Sequence, residues 1–325
     1  MASKRADWIF HRDRWVRWEE ATVHVTAHAL HYGSSAFEGI RAYHTSGGPA
    51  IFRLDAHIRR LFDTCKLLSM KMGDLTRDSV EQLCVEAVSR NGFDSCYIRP
   101  IVYRGAGGLG LYPLECPVEL SIFAVEWGRY LGVEGIEKGV DAMVSSWRRF
   151  NASTSMPLGK IGGQYTTSQL VSIEARAAGF AEGIMLDADG NVCEGAGENL
   201  FLVKDGMLMT PPMAASILGG ITRDSVLKIA EDLGVRLEAC KISRDMLYLA
   251  DELFMCGTAA EITPVRSVDR IPVGSGARGE VTKAIQDRFF GIVSGELDDT
   301  HGWLTAVPAL EPASRAWPAS TNAES

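Results

Sequence analysis

Over residues 56–72 apolar side chains return at Ile58, Leu61, Phe62, Cys65 and Leu68 with polar residues between them, a spacing that predicts one buried face of a helix stopping at Gly73. Thr76 can cap a second helix, which carries Val80, Leu83, Cys84 and Val88 and ends at Gly92. The period then changes. Residues 96–103 and 119–127 read as strands, and a hairpin is expected around residues 11–14. Farther on, a strand is expected near 140–145, a helix over 166–178 closed by Gly179, a helix over 223–233, a strand over 253–256 and a last helix over 281–293. Asp189-Gly190 and Asp205-Gly206 have the chemistry of hairpin turns.

Hairpins grouped with helices, without regular alternation or internal repeat, argue for an α+β fold in both halves. Gly128, Gly132 and Gly135 separate the halves, so the expected domains are 1–130, small, and 131–304, larger. From Thr305 onward the residues are Pro, Ala, Ser and Thr without periodicity, and 305–325 reads as a solvated tail.

At 325 residues, 46% hydrophobic and 23% charged, the chain has ordinary globular composition and enough length for two domains. A net charge of -8 without a basic run argues against nucleic acid as a partner. Residues 1–15 alternate charges with aromatics, and nowhere do about 18 apolar residues run together, so neither export nor a membrane span is expected. Seven cysteines, an odd number without close pairs, fit free thiols in a reducing cytoplasm.

Two patterns mislead. Gly105, Gly107 and Gly110 have dinucleotide-fingerprint spacing after a strand, but the two prolines Pro113 and Pro117 prevent the helix that must receive a pyrophosphate. His24, His28 and His31 would share a helix face, yet no carboxylate lies within residues 25–33 to complete a metal site, and none is expected.

Of nine lysines most look like surface charges, whereas Lys160 stands among Gly159, Gly162 and Gly163 before a helix. Those glycines would let backbone approach a ligand, and a lysine that attacks an aldehyde must be held and partly desolvated there; a plain loop remains the alternative. Glu194, in Glu194-Gly195-Ala196-Gly197-Glu198-Asn199, could keep a proton on a pyridine nitrogen, or belong to an acidic surface turn. Thr222 begins a helix behind Gly219 and Gly220, where free N–H groups, a hydroxyl and the helix dipole could hold a phosphate, or simply a capped helix start. Thr258 lies in a small-residue turn that could add another hydroxyl. Tyr97 and Arg99, two apart on a strand, face one side.

The segments His28-Ala29-Leu30-His31-Tyr32-Gly33, Phe37-Glu38-Gly39-Ile40-Arg41, Tyr97-Ile98-Arg99-Pro100, 194–201 and 257–266 look like motifs of the fold-type IV pyridoxal-phosphate enzymes. Within them the chain resembles the bacterial branched-chain amino acid aminotransferases over residues 8–303. The resemblance implies a two-domain α+β fold with mixed sheets and helices in each domain. It also implies pyridoxal 5'-phosphate as cofactor and ping-pong transfer of an amino group between Leu, Ile or Val and 2-oxoglutarate. By position, Lys160 attaches to the cofactor and moves the substrate's Cα proton, Glu194 pairs with the pyridine nitrogen and Tyr165 bonds the ring's phenolic oxygen. Arg60, Ile221, Thr222 and Thr258 hold the phosphate. Tyr97 with Thr258 and Ala259 binds the α-carboxylate, and Gly39 and Arg41 also belong to the implied substrate site. Arg99, Tyr32 and Tyr130 receive the side-chain carboxylate of glutamate. Phe37, Trp127, Leu109 and Leu111 enclose an apolar side chain.

A homodimer or larger assembly is implied, with Tyr32 and the loop at Leu109 and Leu111 lent to a neighbouring subunit. The partners are otherwise amino acids and 2-oxo acids. Gly219 and Cys256 depart from the proline and serine common in the family. A specialised paralogue acting on another apolar or aromatic amino acid, or a D-amino acid or amine transaminase, is the alternative; Tyr97-Ile98-Arg99-Pro100 looks like the L-branched-chain type.

Overall fold

The computed structural model describes residues 5–127 and 132–308. The first half comprises β1 (Trp8–His11), β2 (Arg14–Arg17), α1 (His28–Tyr32), β3 (Ser35–Phe37), β4 (Ile40–Thr45), β5 (Gly48–Phe52), α2 (Leu54–Leu67), α3 (Arg77–Asn91), β6 (Cys96–Arg104) and β7 (Val118–Val125). Then follow α4 (Gly132–Lys138), β8 (Val140–Arg148), α5 (Tyr165–Ala177), β9 (Glu182–Leu186), β10 (Val192–Gly195), β11 (Asn199–Lys204) and β12 (Met207–Thr210). The chain continues through α6 (Ile221–Asp232), β13 (Arg236–Ala239), α7 (Met246–Leu249), β14 (Glu252–Gly257), β15 (Glu261–Val268), β16 (Ile271–Pro272), α8 (Glu280–Ser294) and β17 (Leu304–Ala306).

The strands form two sheets in an α+β arrangement. One runs β17-β5-β4-β6-β7-β1-β2, with β3 also on β6; the other runs β10-β9-β8-β15-β14-β11-β12-β13, with β16 on β15. The pairs in the first are antiparallel, whereas β8 runs parallel to both β9 and β15, and β12 parallel to β13, so the second is mixed. A core of Ile40, Ile58, Leu61, Val80, Val88 and Ile98 lies between the first sheet and α2 and α3. Phe52, Phe254, Phe289 and Trp303 form another, which ties α8 to both sheets.

Local chemistry explains most boundaries. Thr76 Oγ1 accepts from the Ser79 amide at 3.2 Å while Ser79 Oγ accepts from the Thr76 amide at 2.9 Å, a reciprocal cap at the start of α3. Asp205 and Gly206 both have positive φ, 49° and 72°, as the tight turn between β11 and β12 requires.

Three expectations are corrected. The helix expected to stop at Gly73 ends at Leu67, because Ser69 turns left-handed (φ 53°) and its own amide and that of Met70 close onto the carbonyls of Lys66 and Cys65. Serine carries no signal for that conformation. The helix expected from Arg223 starts at Ile221 behind Gly220, so Thr222 is its second residue. Thr305 and Ala306, expected in a solvated tail, belong to β17, the edge strand that pairs with β5, and Val307 is buried against the first core. That strand is too short for a period and is recruited by a partner some 250 residues away.

Candidate active site

A cavity of about 540 Å³ opens between the two sheets, walled by β3, Gly39, Arg60 of α2 and β6 on one side and by α5, the β10–β11 turn, the start of α6 and the end of β14 on the other. Lys160 enters it from the irregular segment between β8 and α5. Its backbone is fixed from the first half: the Lys160 amide donates to Thr64 Oγ1 at 3.1 Å and its carbonyl accepts from the Phe37 amide at 3.2 Å. Nζ lies 2.6 Å from Tyr165 Oη and 4.8 Å from the Phe37 ring centroid. The neighbouring glycines have a different role from the one expected. Gly162 and Gly163 pack against Ser35 and Gly33, where an added Cβ on Gly162 would come 2.2 Å from Ser35 Oγ, so they permit the two chain halves to approach rather than a ligand.

Glu194, at the end of β10, is buried and receives three donors. Arg149 Nη2 lies 2.9 Å from Oε1, and Oε2 accepts from Asn199 Nδ2 at 3.1 Å and the Leu218 amide at 2.9 Å. Burial pushes the Glu194 carboxyl up, and the Arg149 guanidinium opposes that. Nearby Glu198 is raised well above the ordinary carboxylate range by burial and by Glu182, itself raised by burial.

At the far end α6 begins at Ile221, behind Gly220 and without a side-chain cap, leaving its first N–H groups directed outward beside the buried Thr222 hydroxyl. Gly220 is required here: a Cβ would lie 1.8 Å from Asn199 Oδ1. Arg60 stands alongside, clamped by Glu38 at 2.6 and 2.8 Å, with Nη1 on the Gly219 carbonyl at 2.8 Å. Among the described residues three of its five N–H groups are engaged, and Arg60 lines the cavity. Burial alone would raise Glu38, but Arg60 and His57 hold it far below the usual range. His57 is pushed down by burial against the pull of Glu38. Because Arg60 bonds a carbonyl at 219, the glycine found there leaves that contact intact.

On the opposite wall Tyr97 and Arg99 project from β6 into the cavity, with Arg99 Nη2 donating to Tyr97 Oη at 3.0 Å and the guanidinium 4.7 Å from the Phe37 ring. Trp127 packs edge-on against Tyr97, its ring centroid 4.6 Å away. Gly39 gives Tyr97 its place, since a Cβ there would meet Oη at 1.8 Å. The Gly257-Thr258-Ala259 turn closes this end, with Cys256 beside it.

The cavity thus unites Lys160, Tyr165, Glu194, Arg60, Ile221, Thr222, Thr258, Ala259, Tyr97, Arg99, Phe37, Gly39 and Trp127. Arg41 is outside the lining. It lies behind the turn, donating from Nε to the Thr258 carbonyl at 3.0 Å and from Nη2 to the Ala259 carbonyl at 3.1 Å, and so supports the turn instead of facing substrate. Tyr32, Leu109 and Leu111 do not line this chain's own cavity; they are exposed, and Tyr32 Oη donates to the Leu109 carbonyl at 2.7 Å. Tyr130 is outside the described residues.

Sequence reasoning missed Arg149, whose pairing with a residue 45 positions on left no local signal, and the supporting roles of Glu38 and Asn199, although both stand inside family-like motifs. His24 precedes α1 rather than sharing its face, and His28 and His31 are bonded to Ser34 and to the Val25 carbonyl. Among the described residues no His, Cys, Asp or Glu group is arranged to hold a metal, and no helix is long and apolar enough to cross a membrane.

A flat heterocycle with an aldehyde, a basic ring nitrogen and a phosphate arm fits this donor set: an amine, a buried carboxylate and an uncapped helix start lining one cavity. The profile of the amino-transferase class IV family matches residues 35–268, and the chain belongs to that family. Its similarity is high to the branched-chain-amino-acid aminotransferase of Escherichia coli (strain K12), 50% identical over 308 residues, 94% of this chain and 99% of that protein. A solved structure of the branched-chain amino acid aminotransferase from Escherichia coli superposes with a TM-score of 0.91, at 50% identity and covering 93% and 100% of the two chains. A T.th. branched-chain amino acid aminotransferase, solved complexed with N-(5'-phosphopyridoxyl)-L-glutamate, matches with a TM-score of 0.89 and 45% identity, covering 94% and 100%.

Proposed function

We propose that this chain is a pyridoxal 5'-phosphate-dependent aminotransferase that exchanges the amino group between L-branched-chain amino acids and 2-oxoglutarate. The observation that supports the reading is that Lys160, Glu194, the uncapped start of α6, Tyr97 and Arg99 all line one cavity. Bound there, pyridoxal phosphate would supply an aldehyde to receive the amino group and a ring to withdraw electrons from the substrate Cα.

The protein supplies the rest. Lys160 Nζ is the amine that attaches the cofactor and, once released, moves the proton at the substrate Cα; Tyr165 Oη, 2.6 Å away, holds it in position. Glu194 keeps a proton at the ring nitrogen. The first N–H groups of α6, the Thr222 and Thr258 hydroxyls and Arg60 hold the phosphate. Tyr97 and the turn at Thr258 and Ala259 bind the α-carboxylate, and Arg99 binds the second carboxylate of glutamate. Phe37 and Trp127 enclose an aliphatic side chain, and such a wall separates Val, Leu and Ile by only about 1 to 3 kcal/mol per methylene, so specificity is broad within that class.

The cavity lies between the two units, 1–130 and 131–304, that we take as domains. Tyr32, Leu109 and Leu111, with the two leucines 62% and 80% exposed, are positioned to complete the cavity of a second copy in a homodimer or larger assembly. The seven free thiols fit a cytoplasmic setting. Steady-state rates with glutamate and a panel of 2-oxo acids test the reading. Branched-chain 2-oxo acids should give the highest kcat/KM; faster turnover of aromatic oxo acids, or of D-amino acids or amines, would replace it.

A further inference from the structure

Glu194 is tied through both oxygens. Among the described residues Oε2 has two neutral donors, Asn199 Nδ2 and the Leu218 amide, whereas Oε1 has one, the charged Nη2 of Arg149 at 2.9 Å, and so keeps acceptor capacity, in a side chain that lines the cavity. Arg149 is itself buried and fixed: its amide donates to the Leu186 carbonyl at 2.9 Å, Nε donates to the Ser216 carbonyl at 3.3 Å, and the guanidinium lies 4.1 Å from the Phe150 ring centroid. The other charged groups that act on Glu194 are Lys160 and Arg60, which also line the cavity, and the carboxyl of Glu198. Arg149 is the cation in direct contact.

We infer that Arg149 is a positioning residue that keeps Glu194 an ionised carboxylate with Oε1 presented to the cofactor's ring nitrogen. A carboxyl buried without a cation partner takes up a proton of its own, and a protonated Glu194 offers no charge to hold a proton on the ring. The contact therefore decides where the proton resides. It also moderates the basicity of Oε1, because two cations share one carboxylate. This rests on reading the cavity as a pyridoxal phosphate site.

The test begins on protein freed of cofactor, where infrared difference spectra against Glu194→Gln report the protonation of Glu194 alone. Wild type should show an ionised Glu194 at pH 7, Arg149→Leu a protonated one, and Arg149→Lys should return it to the ionised form. After cofactor is restored, Arg149→Leu should lower kcat by roughly tenfold, the scale on which removing a group that orients a liganding residue acts, with little change in KM. Its pH profile should shift, and Arg149→Lys should recover most of the loss. If Arg149→Leu alone does not fold, the double variant Arg149→Leu/Glu194→Gln should, since both buried charges are then gone. An ionised Glu194 in Arg149→Leu, a double variant that is also unfolded, or an equal loss of kcat in Arg149→Lys with an unmoved pH profile would overturn the inference. Failure of wild type to bind pyridoxal phosphate would instead remove the proposed function, while the infrared result on the cofactor-free protein would still stand.

Discussion

The amine of Lys160 and the phenol of Tyr165 meet at 2.6 Å across the entry into α5. Four residues separate them, and the 3-10 turn at Gly162–Gln164 folds the chain so that the first residue of α5 points back at the lysine. Among the described residues, nothing else lining the cavity offers an amine.

Lys160→Ala should therefore abolish covalent attachment of cofactor and nearly all turnover. The measurement is the visible absorbance of purified protein after incubation with pyridoxal phosphate, together with transamination rate. Near-normal rates in the variant would show that the lysine only fills space. Tyr165→Phe should keep the attachment and lose rate, because the contact it removes orients Nζ rather than forming the bond.

Glu198 gives a prediction about stability. Its carboxyl is raised well above the ordinary range by burial and by Glu182, so the folded chain binds that proton more tightly than the unfolded chain does. In the window above the ordinary carboxyl range, the folded state holds more protons, and stability must fall as pH rises through the raised value. Glu198→Gln, an uncharged mimic of the protonated acid, should flatten that fall in the cofactor-free protein. Urea midpoints at a series of pH values read it directly, and an unchanged slope would mean Glu198 is ionised in the fold.

Much of this was legible before the fold was known, because the residues that bear charge inside the cavity stand in short motifs with their own local geometry. Lys160, Glu194 and the start of α6 could be proposed from glycine context and helix chemistry, and α3 with its Thr76 cap and Gly92 stop from period alone. What stayed hidden depends on tertiary partners. Arg149 is defined by Glu194, β17 by β5, and the end of α2 by a serine forced into a conformation it does not prefer. Arg41 shows the subtler failure: its motif was visible, but only the fold tells that the guanidinium faces the back of a turn.

From that placement Arg41→Met should weaken every substrate alike. It removes two charge-assisted bonds to the carbonyls of Thr258 and Ala259, each of a kind contributing about 1.5 to 3 kcal/mol, and loosens the turn that binds the common α-carboxylate. KM for glutamate and for leucine should rise by similar factors. A selective loss for glutamate would return Arg41 to the substrate pocket.

Arg99 should behave in the opposite way. It faces the cavity from β6, donates to Tyr97 Oη and lies over Phe37, so it can meet a second carboxylate that leucine and isoleucine lack. Truncating one side of such a pair in a desolvated cleft costs about 2 to 5 kcal/mol. Arg99→Leu should then lose roughly thirtyfold or more in kcat/KM for glutamate. Some of the loss will be shared, because the leucine also gives up the contact with Tyr97 and the cation–π contact with Phe37, the latter about 0.5 to 2 kcal/mol. The diagnostic is the difference between two half-reactions followed separately by stopped flow, one started with glutamate and one with leucine. A much greater loss with glutamate assigns Arg99 to its side-chain carboxylate. Equal losses would show that Arg99 serves only the placement of Tyr97, and would remove the basis in this cavity for glutamate as the amino donor.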